Sequence, residues 1–162
     1  VEAIRQTLLN THGVRALHEL RTRKMADNAL VDAHIVVDPK ISVSEGHYIA
    51  ESARYAVLNN HHVMDVMVHI DPEDDLQAKP NAHLPGRPGL LAHLAGRLGE
   101  PDLPDNRVVF HYLDGKVDAE IYLDAASRQA GQADALQARC DELVRDDEFF
   151  RAIHVHRSHA QN

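Results

Sequence analysis

Leu30-Val31-Asp32-Ala33-His34-Ile35-Val36-Val37-Asp38 (residues 30–38) is the stretch from which the fold can be read. Val31, Ala33, Ile35 and Val37 are apolar at every second position, the period of a strand with one buried face. His34 falls between them, so it projects from the other face. Toward the N-terminus, Val14 to Lys24 reads as a second strand. Before it, Val1, Ile4 and Leu8 repeat at helical spacing, with Gly13 placed to end that helix. Toward the C-terminus, Ser42 and Glu45 have the spacing of a capping box. A helix is expected from there to about Asn60, burying Ile49, Ala53, Ala56 and Val57. Met64 to Asp71 is a third strand, with Met64, Val66, Val68 and Ile70 on one side. The order α-β-β-α-β is that of an α+β, ferredoxin-like unit spanning residues 1–75.

Pro80, Pro85 and Pro88 punctuate a polar stretch read as a linker over 76–89. The same order then recurs over 90–162. Leu91, Leu94, Ala95 and Leu98 form a helical stripe stopped by Gly99. Arg107 to Leu113 and Lys116 to Leu123 flank Asp114-Gly115, a strong hairpin signal. Leu136, Cys140, Leu143 and Val144 form another stripe, and Phe150 to His156 closes with a strand. The chain thus reads as one ferredoxin-like unit repeated once.

The composition agrees with a packed α+β protein and narrows its chemistry. Of 162 residues, 44% are hydrophobic but only 4% aromatic, so the core must be aliphatic. The net charge of -8 speaks against nucleic acid, whose phosphates need a lysine and arginine excess, and suits a cation ligand. The single cysteine, Cys140, allows no disulfide within the chain. No apolar run approaches the roughly 20 residues that span a bilayer, and no signal peptide is visible. The start at Val1 fits a piece cut from something longer.

The 13 histidines are the most informative residues. Neutral imidazole and carboxylate are ligands that zinc and its neighbours prefer. By strand parity, His34, His69 and Asp71 share the face of the sheet that two helices leave uncovered. His18 has the parity of Val14 and Leu20, so its direction stays open unless a bulge precedes Arg21. His47 lies near the start of the second helix and must reach the cluster around the sheet edge or come from a second protomer. In the second unit, the Asp-Gly turn pairs Tyr112 with Val117, Phe110 with Ala119 and Val108 with Ile121. His111, Glu120, His154 and His156 then share the open face, a candidate second metal site in which His111 corresponds roughly to His18. The plainer reading is that this unit keeps the fold and adds packing or dimer surface. His61, His62, His83, His93 and His159 read as ordinary exposed residues.

His18-Glu19-Leu20-Arg21-Thr22-Arg23, Val31-Asp32-Ala33-His34, Gly46-His47 and Val68-His69-Ile70-Asp71-Pro72, in that order and spacing, closely resemble the cytoplasmic C-terminal domain of cation diffusion facilitator transporters. The resemblance covers residues 1 to about 75. It implies a metallochaperone-like fold, a V-shaped homodimer whose closed arrangement metal favours, and an N-terminal six-helix membrane domain that exchanges metal for protons. It also implies that His18, His34 and Asp71 bind one ion and that His47, His69 and Asp71 bind another, with Asp71 bridging. Arg21-Thr22-Arg23 matches the family pattern without a ligand role. The membrane helices are absent from this chain, and residues 76–162 exceed the usual tail.

The function expected is a regulatory, dimerising domain of a divalent cation exporter at the cytoplasmic face of the membrane, and not an enzyme. Its partners would be a second copy and zinc, or Co, Ni, Cd or Mn, with the membrane met only through a domain outside this chain and no role for nucleic acid. The alternatives are a stand-alone cytosolic metal-binding protein or a metal-dependent hydrolase. For the latter the sequence offers no convincing general base or nucleophile beside the ligands.

Overall fold

Among the described residues, two three-stranded sheets, each with two helices, account for the α+β architecture. The computed structural model describes residues 1–25, 28–75, 77–100, 103, 107–123 and 131–157; His159 lies outside them. The chain divides into two compact units, Val1–Ala78 and Lys79–Asn162.

The first unit runs α1 (Glu2–Leu9), β1 (Ala16–Met25), β2 (Asn28–Val36), α2 (Val43–Asn60) and β3 (Asp65–Asp71). The sheet order is β1-β2-β3, with β1 and β2 antiparallel and β2 and β3 parallel. The parallel pair needs a crossover, which α2 supplies. The alternating residues of β2 are buried as their period demands: Val31, Ala33 and Ile35 pack with Ile4 and Leu8 of α1, Ile49, Ala53 and Val57 of α2, and Val66 of β3. The capping box is formed, Ser42 Oγ accepting from the Glu45 amide at 3.1 Å.

Two local details differ from the sequence reading, and a third settles the direction of His18 that the reading left open. Helix α1 ends at Leu9, and Gly13 instead turns the loop after it with φ +91°. A Cβ there would sit 2.5 Å from Ile49 Cδ1, so a left-handed turn and close packing both require glycine. Met64 is 60% exposed and precedes β3, although its amide donates to the Ala29 carbonyl at 2.7 Å. In β1 the ladder slips between Leu17 and Glu19, which pair with Ile35 and His34. His18 is the extra residue of a β-bulge.

The second unit repeats the order: α3 (Arg87–Leu98), β4 (Val108–Leu113), β5 (Lys116–Leu123), α4 (Gln132–Leu143) and β6 (Phe150–Arg157), with sheet order β4-β5-β6. Asp114 and Gly115 take φ of 51° and 73°, the left-handed pair of a tight hairpin turn. That turn sets the register read from sequence: Tyr112 opposite Val117, Phe110 opposite Ala119, Val108 opposite Ile121. The buried stripe of α3 is Leu90, Leu94 and Leu98, while Leu91, expected in it, is only partly buried. A spacing of four places these three leucines on one ridge.

Residues 79–86, read as linker, pack on the hairpin. The Lys79 amide donates to Asp114 Oδ1 at 2.7 Å, the Gly115 amide to Asn81 Oδ1 at 2.8 Å and the Tyr112 hydroxyl to the Pro85 carbonyl at 3.1 Å. Prolines suit such a segment, because its order comes from side chains and not from a ladder. Cys140 is fully buried among Leu94, Ala119, Phe150 and their neighbours. Burial, reinforced by Asp141 and opposed by Arg139, pushes its thiol up to about 11.

A candidate metal centre in the first sheet

The uncovered face of the first sheet collects side chains from all three strands. The parallel register sets His34 beside His69 and Val36 beside Asp71. The bulge re-aims His18 toward them, as bulges do. Asp71 Oδ2 lies 3.0 Å from His34 Nδ1 and 3.1 Å from His18 Nε2. Ligand atoms of His18, His34 and Asp71 fall within 4.8 Å of one another, and this is the one such group of three among the described residues.

The three imidazoles form a ladder. His34 and His69 stack with ring centroids 4.4 Å apart and planes 15° from parallel; His18 and His34 are 5.5 Å apart. His69 is therefore beside the triad through its ring, although it is exposed. His47 is not brought to it: it is exposed on α2, directly after the buried Gly46.

Two carboxylates that periodicity did not flag complete the surroundings. Asp74 Oδ1 is 3.6 Å from His18 Nδ1, and Glu19 Oε2 is 3.7 Å from His34 Nε2. His18 Nδ1 is buried without a hydrogen-bond partner. A metal-ligating histidine characteristically donates its second ring N–H to a carboxylate, and Asp74 stands where a small adjustment would serve that. Asp74 follows the strand in a turn, where alternation carries no information. The signal that could have found it is the acidic run Glu73-Asp74-Asp75 directly after the Asp71-Pro72 pair. The donor set of two imidazoles and a carboxylate, with a buried ring nitrogen awaiting a partner, fits a divalent cation of the zinc class.

In the second unit, His111 Nε2 is 2.8 Å from Glu120 Oε2 and His156 Nε2 is 3.1 Å from Glu120 Oε1. His154 is exposed and pairs in register with Glu120. The hairpin register places His111 opposite Asp118, the counterpart of Arg21 opposite Asp32, so His111 does not occupy the place of His18. His93, read as an ordinary exposed residue, instead holds Asp147: its Nε2 is 2.7 Å from Asp147 Oδ2, whose side chain is fully buried. Arg97 Nη1 approaches the same oxygen at 3.2 Å. Burial would raise the Asp147 pKa, but the amides of Phe150 and Phe149 and the His93 ring hold it below its ordinary 3.8. His61 likewise has a partner, Thr7 Oγ1 at 2.8 Å.

Residues 1–73 match the family model for the cation efflux protein cytoplasmic domain. Among curated proteins, metal tolerance protein C1 of Arabidopsis thaliana is 45% identical over 73 residues, which are 44% of this chain and 16% of that protein. Metal tolerance protein 2 of Oryza sativa subsp. japonica is 38% identical over 71 residues, 43% of this chain and 18% of that protein. The cation-efflux pump FieF of Pectobacterium carotovorum subsp. carotovorum is 30% identical over 70 residues, 43% of this chain and 23% of that protein. The chain thus spans less than a quarter of the length of each of these relatives. Of solved structures, a MamM CTD variant in its manganese form aligns at 27% identity over 44% of this chain and 92% of that chain, with a TM-score of 0.43. The matched segment encloses His18, His34, His69 and Asp71, so it is the first unit, with its candidate metal centre, that is similar to the cytoplasmic domain of cation efflux proteins.

Proposed function

We propose that the first unit binds a divalent cation, zinc foremost, through His18, His34 and Asp71, and that it acts as the regulatory, dimerising domain of a divalent cation exporter. The observation that carries this reading is the convergence of the three ligand atoms on a sheet face, made by a bulge and a parallel register together. The family's pattern adds a second ion held by His47, His69 and Asp71. Because His47 is exposed on α2, its part is best served when a second protomer supplies it. Metal would then join two copies and favour one geometry, a population shift driven by differential binding. A nitrogen and oxygen donor set without thiolate favours zinc, with Co, Ni, Cd and Mn as competitors.

The test is zinc titration of the full chain by calorimetry alongside sedimentation velocity. Zinc should bind and raise the dimer fraction, and Asp71→Asn should lose the rise in dimer fraction together with the binding heat of the first unit, while His83→Ala should lose neither. An Asp71→Asn protein that binds and dimerises like the parent would end the proposal.

A further inference from the structure

The second sheet carries a permuted counterpart of the first cluster. Both units pair their middle and last strands in parallel, and the positions can be matched directly. In the first unit His34 opposes His69, and two residues on Val36 opposes Asp71. In the second, Glu120 opposes His154, and two residues on Tyr122 opposes His156. Glu120 therefore takes the place of His34, His154 that of His69 and His156 that of Asp71. Imidazole and carboxylate have exchanged places, so each set still holds a single carboxylate among imidazoles.

The contacts follow the exchange. In the first unit, two imidazoles meet at one oxygen of Asp71. In the second, two imidazoles flank Glu120, His111 on Oε2 and His156 on Oε1. His111 and Glu120 are mostly buried, with side chains 11% and 15% exposed. Tyr122 stacks on His156 at 4.6 Å, fixing the ring beside the carboxylate. The bulge that delivers His18 has no equivalent, since the β4–β5 ladder is regular, and His111 approaches from the place that Arg21 holds in the first unit. Isolated surface histidines would not be expected to keep one carboxylate and two imidazoles through an exchange of positions.

We propose that His111, Glu120 and His156, with His154 at the rim, form a second divalent-cation site on the open face of the β4-β5-β6 sheet. Its ligand is a borderline cation of the zinc or cobalt class, because the donors are imidazole and carboxylate without thiolate. His111 and His156 sit on different oxygens of Glu120, and the three ligand atoms do not fall within 4.8 Å of one another as those of the first cluster do, so binding an ion would require the two rings to turn toward each other. This site stands on the second unit alone and does not depend on the first.

The experiment uses the full chain with Asp71→Asn to silence the first cluster, and reads cobalt by its d–d absorption and by equilibrium dialysis. The Asp71→Asn protein should retain one bound equivalent. Adding Glu120→Gln or His156→Ala should abolish it, whereas adding His156→Asp, which restores the residue type of Asp71, should preserve it. The imidazole Cε1–H signals of His111 and His156 should shift with zinc. Folding of every variant is followed by far-UV circular dichroism. Absence of the residual equivalent in a folded Asp71→Asn protein, or its persistence after Glu120→Gln, overturns the proposal. If the parent chain binds a single equivalent that Glu120→Gln removes and Asp71→Asn does not, the second site stands and the reading of the first fails.

Discussion

Asp71 is the residue on which the first site turns, because one carboxylate oxygen serves two imidazoles from two other strands. Asparagine would keep the shape and could still turn its one oxygen to the imidazoles, but it removes the negative charge that a cation needs. Asp71→Asn should therefore leave the thermal midpoint within a few degrees of the parent while the metal heat of the first unit is lost in calorimetry. Asp147 behaves differently, its side chain fully buried while its partners His93 and Arg97 are part-exposed. Its depressed folded-state pKa means that it contributes stability above the ordinary 3.8, lost as pH falls through the lower folded value. Asp147→Asn should destabilise the second unit by about 3 kcal/mol near neutrality, since Arg97 and His93 lose a buried counter-charge. The difference from the parent should shrink below pH 3.8 in urea melts followed across pH.

At the scale of elements, the β1 bulge separates fold from site. Deleting His18 would leave Leu17 opposite Ile35 and Glu19 opposite His34, the regular ladder that β4 and β5 already show. A His18 deletion should keep the first unit folded by circular dichroism yet lose that unit's zinc binding. The turn after α1 has no such tolerance. Gly13→Ala must hold an unfavourable φ and displace Ile49, which should cost about 2 kcal/mol or more in urea unfolding. These elements also show what the sequence could disclose. Alternation placed His34, His69 and Asp71 on one face, and Asp114-Gly115 set every pair of the second hairpin, because strand period and turn chemistry are local properties. The direction of His18 was not legible, since a bulge is one extra residue with no composition of its own. Asp74 and the His93–Asp147 pair escaped for another reason: each joins residues whose proximity only the tertiary fold creates. Residues 79–86 were mistaken for linker because prolines and polar side chains describe a packed irregular segment equally well.

At the scale of the whole molecule, two units with separate cores predict separable behaviour. A chain ending at Ala78 should fold alone, giving a cooperative thermal melt. If it binds zinc only when folded, its stability should rise by about 2.7 kcal/mol at a free concentration of 100 Kd. The second unit holds its own reporter. The chain has one thiol, on Cys140, sealed in the core of that unit and with its thiolate suppressed. An alkylating reagent at neutral pH can modify it only after that core opens, since the thiolate is the reactive form. The rate of mass gain on iodoacetamide treatment is thus a clock for the opening of one half of the protein, silent to anything that happens in the other.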